Sequence, residues 1–432
     1  MVAHCRMGRW TCIWTDSRWL LVPALLLFAH ACTLVPARLS GLRARGGFDP
    51  AAYEKIEALC QKLVEDGHTP GVVILIGRGN RVLLRKAFGC RMNDPPSEPM
   101  TVDTLFDLAS LTKPTATASA IMLLAQDGKV SLDDCAARYV PEFDCDDKRE
   151  ITIRQLLTHT SGLPAYTSAD QVEKECGPRP NPDGLIRHIA ALPRKYETGK
   201  GCVYSCLNYL VLARVVQNVT GGNQDVFLRE RLWRPLGMKD TTFFPTAGQI
   251  ARTAPTIHRD GMLRRGEVHD PLAYYSVCAA YAPGNAGCFS TVDDMARYVR
   301  MLLNGGRLKR TRIFRPDIWE KIVTDQSGPL AVGRTCGWEI AAGDAYCTPL
   351  NKTSESCCLI HTGYTGTLVW MDMLSETYVI FFSNCVYPTD ELRHKNAVIA
   401  ARREIVRTVL DNLDIYREWG FGDWLSKDSK RM

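Results

Sequence analysis

The sequence predicts an α+β fold in which helices from both chain ends flank a central, mostly antiparallel sheet and a helical lobe is inserted between its strands. Two observations predict this fold. Strand-like segments occur near both ends of the chain, and helix-like patterns fill the middle. The chain has 432 residues, 46% of them apolar, and so exceeds the usual limit of about 250–300 residues for one hydrophobic core. We therefore expect one large unit with two lobes.

The N-terminal part of the predicted sheet is a helix followed by a hairpin. Apolar residues recur at helical spacing over residues 53–66. The apolar run at 71–77 (GVVILIG) indicates a buried strand, and residues 82–88 indicate its partner. The turn-forming sequence at 78–80 (RGN) joins the two strands.

The C-terminal part of the chain contains the same two elements in the reverse order. Residues 367–372 and 377–383 predict two strands around a turn at 375–376. An amphipathic pattern then predicts a final helix over roughly 391–413. Strands that lie this far apart along the chain favour a single sheet assembled from both ends.

These elements define the predicted domain, which spans 51–415. Its sheet lobe comprises 51–105 and 330–415, and its helical lobe comprises roughly 106–300. Residues 416–432 form a C-terminal tail. The sequence contains no internal repeat and no low-complexity block.

The N-terminus has the pattern of a secretory signal peptide. Arg6, Arg9 and Arg18 precede the apolar run at 19–29 (WLLVPALLLFA), which ends in small residues at 29–31 (AHA). That run has about half of the ~20 residues that a membrane-spanning helix needs. It therefore predicts export, not a membrane span.

We assign residues 1–31 to the signal peptide and 32–50 to a tether. Cys32 directly follows the expected cleavage site, which resembles a bacterial lipoprotein signal, and it is a candidate for lipidation. Plain cleavage and lipidation both stay open. We expect an exported protein of the periplasm or cell envelope, associated with the membrane through the signal segment or a lipid anchor.

Cysteine content and charge bear on three further properties, namely disulfides, metal sites and nucleic-acid binding. An exported chain with 17 cysteines predicts several disulfides, although some cysteines can be buried free thiols. Spacings such as that of Cys202 and Cys206, or of the adjacent Cys357 and Cys358, lack nearby histidines in a zinc pattern, so we expect no metal site. We also expect no cofactor. The net charge of +6 has no long basic run, and the cluster at 309–312 (KRTR) lacks aromatic neighbours. Nucleic-acid binding is therefore not expected.

The first chemical motif is a serine and a lysine three residues apart. Ser110 and Lys113 lie in the sequence SLTK at 110–113, just before an apolar helical run. Residues at this spacing share one helix face. A hydroxyl becomes a good nucleophile when a nearby base removes its proton. A lysine can be that base if its surroundings lower its pKa towards neutral. A lone S-x-x-K match arises often by chance, so the motif needs support.

Two further motifs follow in the chain. Tyr204 precedes a helical pattern in the sequence YSCLNY at 204–209, and its phenol could relay a proton beside a lysine. His361 begins the sequence HTGYTGT at 361–367, which enters a predicted strand. Small residues there would let a substrate pair with the strand edge. Taken alone, Tyr204 and His361 are each better explained by a structural role than by a catalytic one.

Together these motifs resemble the serine β-lactamase and penicillin-binding protein superfamily, in the branch that holds class C β-lactamases, D,D-peptidases and related esterases. The resemblance covers roughly 52–410. Four more segments share it: LLTHTSGL at 156–163, PLGMKDT at 235–241, GEVHDP at 266–271 and GNAGCFST at 284–291. The last two are similar to penicillin-binding protein 4B-type D,D-carboxypeptidases.

The resemblance implies a role for each matching residue. Ser110 would be acylated, Lys113 would accept its proton, and Tyr204 would share in proton transfer. The backbone N–H groups of Ser110 and Tyr364 would form the oxyanion hole. His361 would replace a lysine that many relatives have there, and would orient a substrate carboxylate or tune Lys113.

Substrate contacts are expected from the neighbouring positions. Thr362, Gly363 and Cys206 are the candidate substrate-binding residues. Cys206 departs from the family pattern, since relatives have Asn or Asp there and a thiol is a weaker hydrogen-bonding group. A neutral His361 would attract a carboxylate less strongly than a lysine. These two departures leave the substrate open.

The leading hypothesis is a monomeric serine hydrolase that forms an acyl-enzyme at Ser110. Its substrates would be D-Ala-D-Ala-like peptides, such as those of peptidoglycan, or β-lactams and small esters. The alternatives are a β-lactamase proper and a catalytically silent lipoprotein of the cell envelope, to which Cys206 and the high cysteine content point.

Overall fold

A computed structural model describes residues 47–259, 261–340 and 358–413. The predicted signal peptide, Cys32 and the predicted tail at 416–432 lie outside these residues. Among the described residues, no helix combines the length and the apolarity that crossing a bilayer requires.

A seven-stranded antiparallel sheet forms the centre of the molecule. Its strands are β1 (Gly71–Arg78), β2 (Arg81–Met92), β3 (Glu98–Pro99), β4 (Glu339–Ile340), β5 (Cys358–Thr362), β6 (Leu368–Asp372) and β7 (Thr377–Ser383). Their spatial order is β4-β5-β6-β7-β1-β2-β3. Because β7 pairs with β1, the N-terminal and C-terminal segments join in one sheet. This arrangement confirms the predicted central antiparallel sheet.

Two terminal helices pack side by side on one face of this sheet. They are Pro50–Glu65 and Leu392–Asp411. Asp49 caps the first of them, since its side chain accepts a hydrogen bond from the backbone N–H of Ala51. These bounds differ from the predicted ones by one to three residues.

Strand β1 is buried on both faces, which explains its unbroken apolar sequence. Val72, Ile74 and Ile76 pack with the terminal helices. Val73 and Leu75 point the opposite way and belong to the core of the helical side. The sheet is therefore the middle layer of three, and its helical side holds the larger core.

The inserted region lies between β3 and β4 in the chain. Its helices are Ser119–Gln126, Ile153–Leu157, Ala169–Cys176, Pro182–Ala191, Cys206–Thr220, Gln224–Leu228, Arg234–Leu236, Ala247–Ile250, Pro271–Ser276, Val292–Leu303 and Pro316–Val323. Three short strand pairs accompany them: Phe106–Asp107 with Phe289–Ser290, His258–Arg259 with Met262–Leu263, and Arg307–Leu308 with Thr311–Arg312. The last of these helices lies beyond residue 300, where the sequence had placed the end of the helical lobe.

The cysteines of the described region do not show the expected disulfides. Free thiols are found at Cys60, Cys90, Cys135, Cys145, Cys176, Cys202, Cys206, Cys278, Cys288, Cys336 and Cys385. Several of them are fully buried, and Cys288 and Cys336 belong to the apolar core. There they act as small apolar side chains, which is the second of the two readings that the sequence allowed.

Gly284 provides a test of the packing in the inserted region. A Cβ at this position would lie 1.8 Å from the carbonyl oxygen of Tyr209 and 2.9 Å from the Cβ of Ala213. Both belong to a buried helix that cannot move aside. We expect Gly284→Ala to lower the free energy of unfolding by about 1–3 kcal/mol in urea titrations.

Gly222 is the matched control for this change. A Cβ there would meet nothing within 4 Å, so Gly222→Ala should change the stability by less than about 0.5 kcal/mol. Equal stabilities of the two variants would contradict the close approach at Gly284.

Candidate active site

Ser110 lies in a tight turn that its neighbours hold in a strained conformation. The turn is a single 3₁₀ turn, Ala109–Leu111, and Ala109 has a φ of +47°. The buried carboxylate of Asp107 accepts a hydrogen bond from the backbone N–H of Ala109 at 2.8 Å. The strand pair that joins Phe106–Asp107 to Phe289–Ser290 holds the preceding residues. Ser110 is therefore presented on a rigid support.

Lys113 lies one turn later and is fully buried. It begins a π-helical turn, Lys113–Ala118, which leads into the helix Ser119–Gln126. Its Nζ donates to Ser110 Oγ at 3.0 Å and to the backbone carbonyl of Asn285 at 2.9 Å. A third contact joins Nζ to the sulfur of Cys206 at 3.4 Å. The predicted serine–lysine pair is therefore within hydrogen-bonding distance.

Tyr204 lies just before the helix Cys206–Thr220, as the sequence predicts. Its ring lies 5.0 Å from Lys113 Nζ, and its hydroxyl interacts with both Lys113 and Ser110. The tyrosine ring packs on the imidazole of His159, with ring centroids 4.6 Å apart. The backbone N–H of Ser205 donates to His159 Nδ1 at 3.0 Å. His159, from the segment LLTHTSGL, thus fixes the position of the tyrosine motif.

His361 lies on β5 and is buried beside Tyr204. Its Nδ1 donates to the carbonyl oxygen of Thr362 at 2.9 Å, so Nε2 carries the free lone pair. Burial lowers the pKa of His361 to about 3, helped by the positive charges of Lys113 and Arg334. His361 is therefore neutral at pH 7 and can act only as an uncharged hydrogen-bond acceptor at Nε2.

The turn after β5 is attached directly to the segment that carries Ser110. Thr365 Oγ1 donates to the carbonyl of Asp107 at 2.8 Å, and Thr367 Oγ1 donates to the carbonyl of Leu108 at 3.1 Å. A Cβ at Gly363 would lie 2.4 Å from that same Leu108 oxygen, so only glycine fits there. These contacts fix the turn that contains Tyr364 relative to Ser110.

A cavity of about 440 Å³ opens over these groups. Its lining includes Ser110, Tyr204, Arg334, Glu339, Ile360, His361, Thr362, Gly363, Tyr364, Gly366, Cys385, Lys395, Val398, Ile399 and Arg402. Six of the residues singled out by the sequence thus face one cavity, while Lys113 and Cys206 lie next to Ser110 and Tyr204. The candidate residues come together from segments that span some 250 positions.

The charge state of Lys113 differs from the sequence-based expectation. Burial alone lowers the pKa of Lys113, but Cys206, Tyr204 and the charge of Asp270 outweigh it and hold that pKa above its usual value. Burial also raises the pKa of the Tyr204 phenol, although the ammonium of Lys113 lowers it in part. The expectation of a lowered lysine pKa is therefore not met, because the neighbours of Lys113 favour its ammonium form.

Three residues of this site escaped sequence reasoning. Asp107 holds the turn before Ser110, and it could have been noticed as an acidic residue three positions ahead of the serine. Asn285 contributes a backbone carbonyl, which no side-chain pattern reveals. Arg334 lines the cavity and pairs with Glu339 at 3.1 Å, but it lies in no recognised motif.

Asn208 does not take the place of the Asn or Asp that the family pattern has at the position of Cys206. Its Oδ1 accepts a hydrogen bond from Ser161 Oγ at 2.6 Å, and the side chain is buried in the helical side. The described residues also contain no group of three or more His, Cys, Asp or Glu side chains that could hold a metal ion.

The sequence matches the β-lactamase family model over residues 56–404. A protein of Escherichia coli (strain K12) named "Putative D-alanyl-D-alanine carboxypeptidase" is 30% identical over 393 residues, covering 83% of this chain and 89% of that protein. A protein of the same name from Salmonella typhimurium is 28% identical and covers 78% of this chain and 84% of its own.

Solved structures share the fold at lower identity. A penicillin-binding protein homologue from Caulobacter crescentus has a TM-score of 0.63 at 19% identity, covering 83% of this chain and 99% of its own. EstCE1, described as a hydrolase with promiscuous acyltransferase activity, has a TM-score of 0.62 at 21% identity, covering 81% and 98%. These matches confirm the family resemblance and the fold that the sequence predicts.

The charge state of the site predicts how the reactivity of Ser110 depends on pH. The pKa values of Lys113 and Tyr204 are both raised, so the deprotonated form of either base is scarce at neutral pH and grows as pH rises. We expect acylation of Ser110 by a fluorophosphonate probe to accelerate about tenfold per pH unit between pH 7 and 9. Stopped assays over this range measure the slope.

A histidine acting as the base for Ser110 would give a different pH dependence of the acylation rate. A histidine base would give a plateau above about pH 7, but burial lowers the pKa values of both His159 and His361. A rate that levels off before pH 8 would therefore contradict the assignment of Lys113 and Tyr204 as the proton acceptors.

Proposed function

The chain belongs to the β-lactamase family and is a serine hydrolase of that family, and we propose that it is an extracytoplasmic D,D-carboxypeptidase that forms an acyl-enzyme at Ser110. One observation carries the proposal: the buried Lys113 Nζ lies 3.0 Å from Ser110 Oγ beneath the cavity. The signal-peptide pattern at 1–31 supports the proposed location, since peptidoglycan peptides lie outside the cytoplasm.

In the proposed reaction, Ser110 Oγ attacks the carbonyl carbon of the scissile amide. The neutral form of Lys113 takes the serine proton, and the backbone N–H groups of Ser110 and Tyr364 stabilise the negative oxygen. Tyr204 passes a proton to the leaving amine, which departs as the C–N bond breaks. Water then attacks the ester carbonyl of Ser110 and gives its proton to the phenolate of Tyr204. The ester C–O bond breaks, Lys113 returns its proton to Ser110 Oγ, and the acid is released.

The proposed carboxypeptidase needs a group that binds the free carboxylate of its substrate. His361 is neutral and therefore does not provide a charge. Arg334 provides the positive charge, because its guanidinium lies in the cavity 5.9 Å from the ring centroid of Tyr204. Its present partner, Glu339, is about half exposed and can be displaced by a substrate carboxylate. Arg334 thus compensates for the missing lysine at position 361.

An esterase is the second candidate, and the neutral His361 favours it. An ester substrate without a carboxylate needs no cation at that position of the strand. The reacting groups and the cavity are the same for both candidates, so the two differ only in how much binding depends on Arg334.

The first experiment tests whether Ser110 is acylated. Purified protein is incubated with a fluorescent penicillin and with a chromogenic short-chain ester. We expect a covalent adduct at Ser110 by mass spectrometry that is absent in Ser110→Ala and reduced at least about 100-fold in rate in Lys113→Met. Slow decay of the adduct is expected for a peptidase, and rapid turnover for a β-lactamase. Absence of both adduct and ester turnover would contradict the proposed hydrolase and favour the catalytically silent protein.

The second experiment separates the carboxypeptidase from the esterase. Arg334→Gln should raise the KM for a D-Ala-D-Ala peptide by about 10- to 100-fold, because a charge-assisted hydrogen bond is lost. The same variant should change the KM for the peptide methyl ester less than about threefold, since that substrate has no carboxylate. Arg231→Gln is the control, since Arg231 pairs with Asp127 and does not line the cavity. Equal changes for both substrates would favour the esterase.

A further inference from the structure

A chain of hydrogen bonds leads from Lys113 to a carboxylate that no recognised catalytic motif includes. Lys113 Nζ donates to the backbone carbonyl of Asn285 at 2.9 Å. The side-chain Nδ2 of Asn285 donates to Asp270 Oδ1 at 2.8 Å. The hydroxyl of Tyr166 donates to the other oxygen of Asp270 at 3.1 Å. The lysine is therefore connected to Asp270 through one residue.

This connection is built from rigid parts. Asn285 is fully buried, and the carbonyl of the preceding Gly284 accepts from Thr117 Oγ1 at 2.9 Å. Asp270 caps the helix Pro271–Ser276, because its Oδ1 also accepts from the backbone N–H of Ala273 at 2.8 Å. Neither end of the connection can shift without breaking several hydrogen bonds.

The same loop also supports the nucleophile. The backbone N–H of His269 donates to Asp107 Oδ2 at 2.8 Å, while the other oxygen of Asp107 holds the N–H of Ala109. His269 is therefore linked through Asp107 to the turn that carries Ser110, and Asp270 is linked through Asn285 to Lys113. This arrangement gives a physical role to the sequence GEVHDP at 266–271.

Each element packed around Lys113 contributes a group that can carry charge. The tyrosine segment contributes the phenol of Tyr204 and the thiol of Cys206, and its helix contributes the ring of Tyr209 at 5.9 Å. The imidazoles of His159 and His361 face the lysine from two other segments and are neutral. Burial raises the pKa values of Tyr204, Cys206 and Tyr209, while the ammonium of Lys113 lowers those of Tyr204 and Cys206 in part. Asp270, at the helix cap, is the carboxylate that acts on Lys113.

We propose that Asp270 is a positioning residue for Lys113: through Asn285 it fixes the carbonyl that holds Nζ beside Ser110, and its negative charge stabilises the ammonium form. The role in turnover rests on the proposed function, whereas the effect on the ammonium does not. Asp270 thereby keeps a proton on Lys113 in the free site and holds the amine in reach of the hydroxyl that it must deprotonate.

The test uses Asp270→Asn, which preserves the shape and can keep, through its Oδ1, the hydrogen bonds from Asn285 and Ala273 but removes the charge. Protein with ¹³C-labelled lysine is titrated by NMR, and Lys113 is identified as the signal that disappears in Lys113→Met. We expect the pKa of Lys113 to fall by about one unit in Asp270→Asn, because an opposite charge is removed. The rising limb of the pH–rate profile should move to lower pH by the same amount.

Glu267→Gln is the matched control, since it removes a carboxylate from the same loop. Glu267 pairs with Arg259 at 3.2 Å and makes no contact with Asn285 or Lys113. Its titration curve for Lys113 should match that of the wild type. An unchanged Lys113 pKa in Asp270→Asn, or equal shifts in both variants, would overturn the inference.

A second variant tests the positioning separately from the charge. Asp270→Ala removes the acceptor for Asn285. At pH 9 it should be acylated about tenfold or more slowly than Asp270→Asn, because both variants lack the charge but only the asparagine keeps the acceptor. Equal acylation rates in the two variants would overturn the positioning role. If no probe acylates wild-type Ser110, the proposed function fails, while the lysine titration still decides the effect of Asp270.

Discussion

The buried amino group of Lys113 is the constraint on which the rest of the site depends. A lysine that is fully buried is costly unless hydrogen-bond acceptors replace the water that it has lost. Acceptors from Ser110, Tyr204, Cys206 and Asn285 do so, and they lie in three segments that are far apart in the chain. The fold of the helical side must therefore bring these segments together for the lysine to be buried beside Ser110.

The strain beside Ser110 is offset by contacts from outside its own turn. Ala109 has a positive φ, which costs roughly 1–3 kcal/mol for a residue other than glycine. Asp107 and the hydroxyl of Thr365 attach this turn to the loop at His269 and to the end of β5. Ser110 and the turn that contains Tyr364 are consequently held by one hydrogen-bonded unit. If their backbone N–H groups form the proposed oxyanion hole, its donors would need no rearrangement when charge develops.

The sequence predicted those features that depend on local patterns. The hairpin of β1 and β2, the hairpin of β6 and β7 and both terminal helices follow from apolar periodicity and turn residues, so their bounds are nearly right. The pairing of Ser110 with Lys113 follows from helical spacing. The charge state of Lys113 does not, because it is a sum of burial, which lowers the pKa, and of neighbours such as Cys206 and Asp270, which raise it. Those neighbours come from segments whose approach only the tertiary structure defines.

Cys206, which departs from the family pattern, affects how the amino group of Lys113 is held. A thiol is a weak hydrogen-bond acceptor, and the contact of Cys206 with Lys113 at 3.4 Å is longer than those of Ser110 and Asn285. The position of Nζ then depends mainly on the carbonyl of Asn285 and on the hydroxyls of Ser110 and Tyr204. The amide side chain of Asn285 is in turn held by Asp270. With a thiol at position 206, the placement of Lys113 therefore depends more on the buried Asn285 and on Asp270, which holds the side chain of Asn285.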